Sequence, residues 1–178
     1  VDPSVDAYSL RLGWGRDCWS IQGELVKKSA DAAEYNDWKN QRGSAVLLEI
    51  GYTGSNVGIL LTGRRLEYMD FRSGRDALGI GEGINYIPAL TRQYTYSLAN
   101  LNPYAAQING EIGGQADFYY LFKKGSVLGG RRGMKLALNF STYYDLKAKS
   151  DGKGFEALDF GKELLFRDFS LDVTKEWT

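Results

Sequence analysis

The sequence predicts an all-β protein, an antiparallel up-and-down transmembrane β-barrel or a partial barrel of about eight strands. Three observations carry that expectation. Several segments alternate apolar and polar side chains, the pattern of strands with two unlike faces. Short turns alternate with long loops over the first half of the chain, an asymmetry typical of outer-membrane barrels. Finally, Trp14, Trp19 and Tyr52 all fall at the short-turn end of the apolar rows, where a membrane barrel carries its interfacial aromatics.

In residues 7–15, Tyr8, Leu10, Leu12 and Trp14 form an apolar row against Ser9, Arg11, Gly13 and Gly15. Arg16-Asp17 makes a short connection. Trp19, Ile21 and Leu25 then face one way, with Gly23 in the row, and Ser20, Gln22 and Glu24 the other. Residues 27–43 read as a polar loop with room for a local helix at 30–39. In residues 44–53, Val46, Leu48, Ile50 and Tyr52 oppose Ala45, Leu47, Glu49 and Gly51. Gly54-Ser55-Asn56 is a turn by composition. Val57, Ile59 and Leu61 continue an apolar row opposite Gly58, Leu60, Thr62 and Arg64.

Residues 69–91 read as a long connection rich in Gly and charge. Alternation resumes over 92–101 through Tyr94, Tyr96 and Leu98, and 102–114 read as a further connection. Residues 115–123 set Ala116, Phe118, Tyr120 and Phe122 against Gln115, Asp117, Tyr119 and Leu121. After the Gly-rich stretch 125–133, Met134, Leu136, Leu138 and Phe140 oppose Lys135, Ala137, Asn139 and Ser141. Residues 147–162 read as polar, and 165–174 end the pattern with Phe169, Leu171 and Val173 opposite Asp168, Ser170 and Asp172.

At 178 residues the chain suits one domain, 1–178, either a whole β-barrel domain or a piece of a longer barrel. Lys+Arg and Asp+Glu both number 22, and that balance argues against nucleic acid as a partner. No His is present, which removes Ser-His-Asp and Cys-His arrangements, His-ligated metals and His acid–base chemistry together. The single Cys, Cys18, forms no intrachain disulfide and no zinc cluster. Val1-Asp2-Pro3-Ser4 is polar and no apolar h-region follows, so no signal peptide is expected. The longest aliphatic stretches, 45–48 and 57–61, are far below the roughly 18 residues of a membrane helix. A membrane β-barrel stays compatible with the negative mean hydropathy, because its strands alternate.

Local motifs point to no enzyme and no cofactor. Gly125 to Arg132 has the Gly spacing of a phosphate loop, but Arg131-Arg132 stands where Lys-Ser/Thr is required, and a strand follows instead of a helix. Gly79-Ile80-Gly81-Glu82-Gly83 lacks dinucleotide-loop spacing. Asp31, Glu34 and Asp37, like Asp151, Glu156 and Asp159, lack a calcium-loop pattern and read as solvated carboxylates. Asn139-Phe140-Ser141 fits a glycosylation sequon inside a strand, which favours chance. Cys18 has Arg16 nearby but no His to activate it.

Several phrases in one order resemble an uncharacterised family of Bacteroidetes outer-membrane β-barrel (porin-like) proteins. They are Gly63-Arg64-Arg65, Met69-Asp70-Phe71-Arg72-Ser73, Ile84-Asn85-Tyr86-Ile87-Pro88-Ala89, Asn102-Pro103-Tyr104-Ala105-Ala106-Gln107, Asn109-Gly110-Glu111, Phe122-Lys123-Lys124-Gly125-Ser126 and Leu128-Gly129-Gly130. The resemblance covers roughly residues 7–144. It implies a porin-like barrel in the bacterial outer membrane, with outer-membrane lipid and other envelope proteins as partners, and no catalytic motif to carry over.

The side opposite the apolar rows carries Arg11, Glu24, Glu49, Arg64, Asp117 and Lys135, with Asp168 and Asp172. In a barrel these face the lumen, lining a wet channel or cross-linking a filled one. Opposite signs there, Arg11 and Arg64 against Glu24, Glu49 and Asp117, are expected to pair where water is excluded. The expected function is non-enzymatic: porin-like solute passage, or a structural part of an envelope assembly. The alternative is a soluble extracellular β-sandwich that binds glycans on exposed Trp and Tyr.

Overall fold

The computed structural model describes residues 4–36, 38–76, 83, 85, 87–91, 104–149 and 154–175. Within them the chain builds one sheet of seven strands, ordered as in the sequence, every neighbouring pair antiparallel. The strands are β1 (Ala7–Arg16), β2 (Trp19–Asp31), β3 (Gln41–Thr53), β4 (Val57–Glu67), β5 (Gly110–Phe122), β6 (Met134–Ala148) and β7 (Phe155–Lys175). A single 3₁₀ turn, Glu34–Asn36, follows β2. The all-β, up-and-down expectation therefore stands. The sheet does not close: β1 and β7 are its two edges, and no ladder joins them among the described residues. Residues 92–101, expected as a further strand, lie outside the described residues.

The strands outrun the alternation that announced them. Residues 27–31 look like loop in sequence, yet β2 continues through them because the ladder to β3 persists, Lys28 opposite Gly43 and Asp31 opposite Gln41. A register shift between Lys28 and Ala30 takes up the irregularity. The helix expected at 30–39 shrinks to the 3₁₀ turn, held where the Asn36 side chain accepts from Ala33 N–H and donates to Asp31 O. β5 begins at Gly110 rather than Gln115, and β7 at Phe155 rather than Leu165. β7 holds its pairing to β6 through three register shifts beyond Tyr143, which hides its period from a sequence window.

Connections at one end of the sheet are Asp17-Cys18, Gly54-Ser55-Asn56 and residues 123–133; those at the other end are 32–40, 68–109 and 149–154. The first turn is tight because Asp17 takes a left-handed φ of 52°, which a short polar side chain tolerates.

Because paired residues share a side, the register sorts every strand onto two faces. One face runs Leu10–Leu25–Val46 across β1–β3, then Ile50–Leu61–Ala116–Phe140–Phe169 across β3–β7. The other runs Arg11–Glu24–Leu47–Arg64–Gly113–Tyr143–Phe166. Over much of the sheet burial is the reverse of that in an ordinary soluble sheet, although Arg65 and Ile112 are buried on the first face and Leu60, Tyr119 and Leu121 are exposed on the second. Leu12 is 70% exposed and Phe169 64%, whereas the largest fully buried side chains, Tyr143, Leu66, Glu111, Asn139 and Ser141, all belong to the second, polar face.

Candidate functional site: the polar face beneath the long connection

The polar face is covered at its long-loop end by described parts of the chain's own connection between β4 and β5, among them residues 69–71, 85, 87–90 and 104–107. The covering is pinned at three places. The first is Lys28 on β2, which is 3% exposed. Its ammonium donates to Asp70 O, pairs with Asp31 at 3.2 Å and stands 4.9 Å from the Phe71 ring centre. The second is Asn85, whose side chain accepts from Phe71 N–H and donates to Met69 O, tying two parts of the connection together.

The third is a clamp built on Arg64 of β4 and Glu111 of β5. Leu66 pairs directly with Glu111, so Arg64 and Glu111 are diagonal neighbours on one face. Their side chains meet at 2.6 Å and are 5% and 0% exposed. The other terminal nitrogen of the guanidinium, Nη1, donates to Pro88 O. Glu111 also accepts from the Tyr104 hydroxyl at 2.5 Å and from Gln107 N–H at 2.8 Å. Buried together, the two ions avoid the several kcal/mol that an unpaired buried ion costs, although Arg64 Nε itself has no hydrogen-bond partner. Burial, and then the bond to Glu111, push the Tyr104 hydroxyl well above the usual tyrosine range.

Tyr143 of β6 completes the clamp. Its hydroxyl donates to Leu90 O at 2.7 Å, and Tyr104 stacks between Tyr143 and Phe166 at 5.6 and 4.7 Å. Tyr143 can lie so close to the sheet only because its ladder partner is Gly113. A Cβ there would clash with Thr142 O and meet the Tyr143 ring at 2.6 Å.

Further along the same face, Asp117 accepts from Gln115 and Asn139, both at 2.7 Å, and Ser141 contacts Asn139 at 3.4 Å. The Asn139–Asp117 bond joins β6 to β5, and the buried Asp117 carboxylate is held by two amides. The sequon at Asn139 has its amide turned into this network.

The register places Arg11, Glu24, Glu49, Arg64, Asp117 and Lys135 on this one face, together with Asp168 and Asp172. Arg11 pairs with Glu24 at 2.9 Å, while Arg64 pairs with Glu111 rather than with Glu24, Glu49 or Asp117. Glu49 lines an open cleft with Arg11, Gln22 and Glu24; Lys135 lines another with Tyr119 and Asp172. Trp19 and Tyr52 meet at 4.9 Å on the opposite face, and Trp14 pairs with Ile21 in the adjoining row.

The sequence left Glu111, Tyr104, Tyr143 and Lys28 unassigned. Glu111, Gly113, Gln115 and Asp117 do form a polar period-two row against Ile112, Gly114 and Ala116, the one signal that extends β5 back to the clamp.

Among the described residues no group of three or more His, Cys, Asp or Glu could hold a metal ion. Asp159 pairs with Lys147 at 2.7 Å, and Cys18 is exposed. Asp37, Asp151, Gly79, Ile80, Gly81 and Glu82 lie outside the described residues. No curated protein and no solved structure matches the chain. A family model matches residues 1–178, and the chain belongs to that family, a family of unknown function (DUF6029).

Proposed function

We propose that this chain forms wall of a β-barrel in the bacterial outer membrane, non-enzymatic, with its apolar face against lipid and its polar face toward the lumen. The observation that supports this most is the inverted burial: an apolar face with exposed large side chains on β1–β4, β6 and β7, backed on β4–β6 by a face of buried ions and amides. Soluble monomers rarely expose apolar patches beyond a few hundred Å². A soluble sandwich would cover that face with a second sheet; the described residues form a single sheet. Strand length points the same way. The strands run from 10 to 21 residues, and a tilted membrane strand needs about 9–11.

Hydrocarbon offers no partner to an open sheet edge, so a barrel built on this sheet closes through strands in addition to these seven. Trp14, Trp19 and Tyr52 then sit at the short-turn rim, where amphipathic rings favour the lipid–water boundary. The role is porin-like. Arg11, Glu24, Glu49 and Lys135 line the polar face away from the clamp and bias which ions pass. A structural part in an envelope assembly is the second role compatible with the same wall.

Fractionation of cells that make the full protein tests this. It should sediment with outer membrane and leave it only in detergent. Recovery of folded protein without detergent contradicts the proposal.

A further inference from the structure

The short-turn end of the sheet carries one longer connection, residues 123–133, between β5 and β6. From Phe118 to Tyr144 the sequence places Lys123, Lys124, Arg131, Arg132 and Lys135, and no Asp or Glu. The backbone folds the connection into a fixed turn. Gly125, Gly130 and Gly133 take left-handed φ values of 84°, 61° and 91°, a region that glycine enters without steric cost. Gly125 N–H donates to Gly130 O at 2.6 Å, and Gly130 N–H to Ser126 O at 2.8 Å. The Ser126 hydroxyl donates to Lys123 O and accepts from Gly129 N–H.

This turn holds two apolar side chains away from the protein. Val127 is 99% exposed and Leu128 55%. Lys123, Lys124 and Arg131 flank them in sequence and are exposed. Among the described residues no carboxylate pairs with these three. The turn is tied to the apolar face. Lys175 ends the Leu171–Val173 row there, opposite Met134, and its ammonium donates to Leu128 O at 3.1 Å. On the same face Phe118, Tyr120 and Phe122 climb β5 to the turn, with successive ring centres 6.5 and 4.7 Å apart. Phe118 continues the row of Trp19 and Tyr52 through Ile59.

Exposed apolar side chains among cations match a surface that offers hydrocarbon and negative charge together, the boundary of a membrane that holds anionic phospholipid. An acidic protein offers the charge alone. The aromatic row beside the turn favours lipid, because such rings prefer the lipid–water boundary. We propose that the 123–133 turn docks on anionic phospholipid headgroups, with Lys123, Lys124 and Arg131 at their phosphates and Val127 and Leu128 in the hydrocarbon boundary beneath. This docking rests on the barrel reading, which brings the apolar face to lipid, and adds a preference for one lipid class at one end of the wall.

The test uses the full protein in lipid vesicles, with Cys18 replaced by Ser and a bimane fluorophore on Val127→Cys or, separately, on Leu12→Cys. Phosphatidylglycerol or phosphatidylcholine, brominated high on the acyl chains and present at equal mole fraction, quenches a fluorophore that it touches. At position 127 brominated phosphatidylglycerol should associate at least about fivefold more strongly than phosphatidylcholine, the scale of one cation at an anionic surface. Position 12 should be quenched by both lipids alike. Lys123→Gln, Lys124→Gln and Arg131→Gln together should remove the preference at 127, as should high salt. Lys27→Gln, Lys149→Gln and Lys162→Gln, an equal loss of charge outside the turn, should leave it. Equal quenching at 127 by the two lipids, quenching there by neither, or a preference that survives the loss of the three turn cations would each overturn the proposal. A fluorophore at 127 that neither lipid quenches and whose emission poly-glutamate shifts would assign the turn to an acidic protein instead. Position 12 reads the wall separately. Quenching there with none at 127 keeps the wall in lipid and removes the docking; quenching at 127 alone keeps the docking and contradicts the wall.

Discussion

Arg64 and Glu111 meet at 2.6 Å across β4 and β5, on the face of the sheet that carries its most buried side chains. The pair joins two strands to the connection between them, through Pro88 on one side and Tyr104 and Gln107 on the other. Removing one partner strands the other as a buried charge. Arg64→Met should therefore cost about 3–5 kcal/mol of stability, and Arg64→Met with Glu111→Gln should cost less than the single change. Urea unfolding of the three proteins measures the difference; equal destabilisation by the single and double variants would mean that the pair is solvated.

Tyr104 gives this clamp a pH signature. Its folded hydroxyl ionises above the ordinary value near 10 because of burial and the bond to Glu111. The folded state then holds the proton while the unfolded state releases it, so stability is flat below about pH 10 and falls as pH rises beyond it. Tyr104→Phe should lower stability at neutral pH yet weaken the decline between about pH 10 and 12. Urea midpoints over that range, compared between the two proteins, check the sign.

The opposite face should respond to charge in the opposite way. Leu48 is exposed on the apolar face and Glu49 lies on the polar one. Leu48→Arg should destabilise the protein in lipid by about 2–4 kcal/mol if the site lies near the midplane, as should Leu12→Arg. Glu49→Arg should be far milder, because its side chain already faces a polar cleft. Equal penalties at positions 48 and 49 in vesicle-folding titrations would remove the distinction between the faces.

Which side each strand residue takes was legible in the sequence, because a period of two leaves no freedom once one face is apolar. Arg11, Glu24, Glu49 and Arg64 fall together for that reason alone. Where each strand stops was not. Lys27 and Lys28 stay in β2 through ladder pairing to Ser44 and Gly43 that polar side chains do not advertise. Phe155 to Leu164 read as a connection because register shifts break the alternation of β7. The clamp was hidden for a further reason: Tyr104, Pro88 and Leu90 approach Glu111, Arg64 and Tyr143 from a connection with no period, and only the fold brings them together.

Glu24 and Glu49 bear on conduction. Purified full-length protein should give conductance steps in planar bilayers, and Glu24→Gln with Glu49→Gln should reduce its preference for cations. The reversal potential under a salt gradient reads that preference directly. Bilayers that stay closed at every voltage, with the protein normally folded, would assign the wall a structural role.

The central claim is that the apolar face meets lipid while the polar face does not, and adjacent positions on β1 test it most directly. Leu10 and Arg11 point to opposite sides of the sheet, paired with Leu25 and Glu24. Spin labels placed at each position, with the protein in lipid vesicles, report collision with oxygen, which concentrates in hydrocarbon, and with a water-soluble nickel complex. The label at position 10 should be the more accessible to oxygen, and the label at 11 the more accessible to nickel. Greater oxygen accessibility at position 11 than at position 10 would contradict the account.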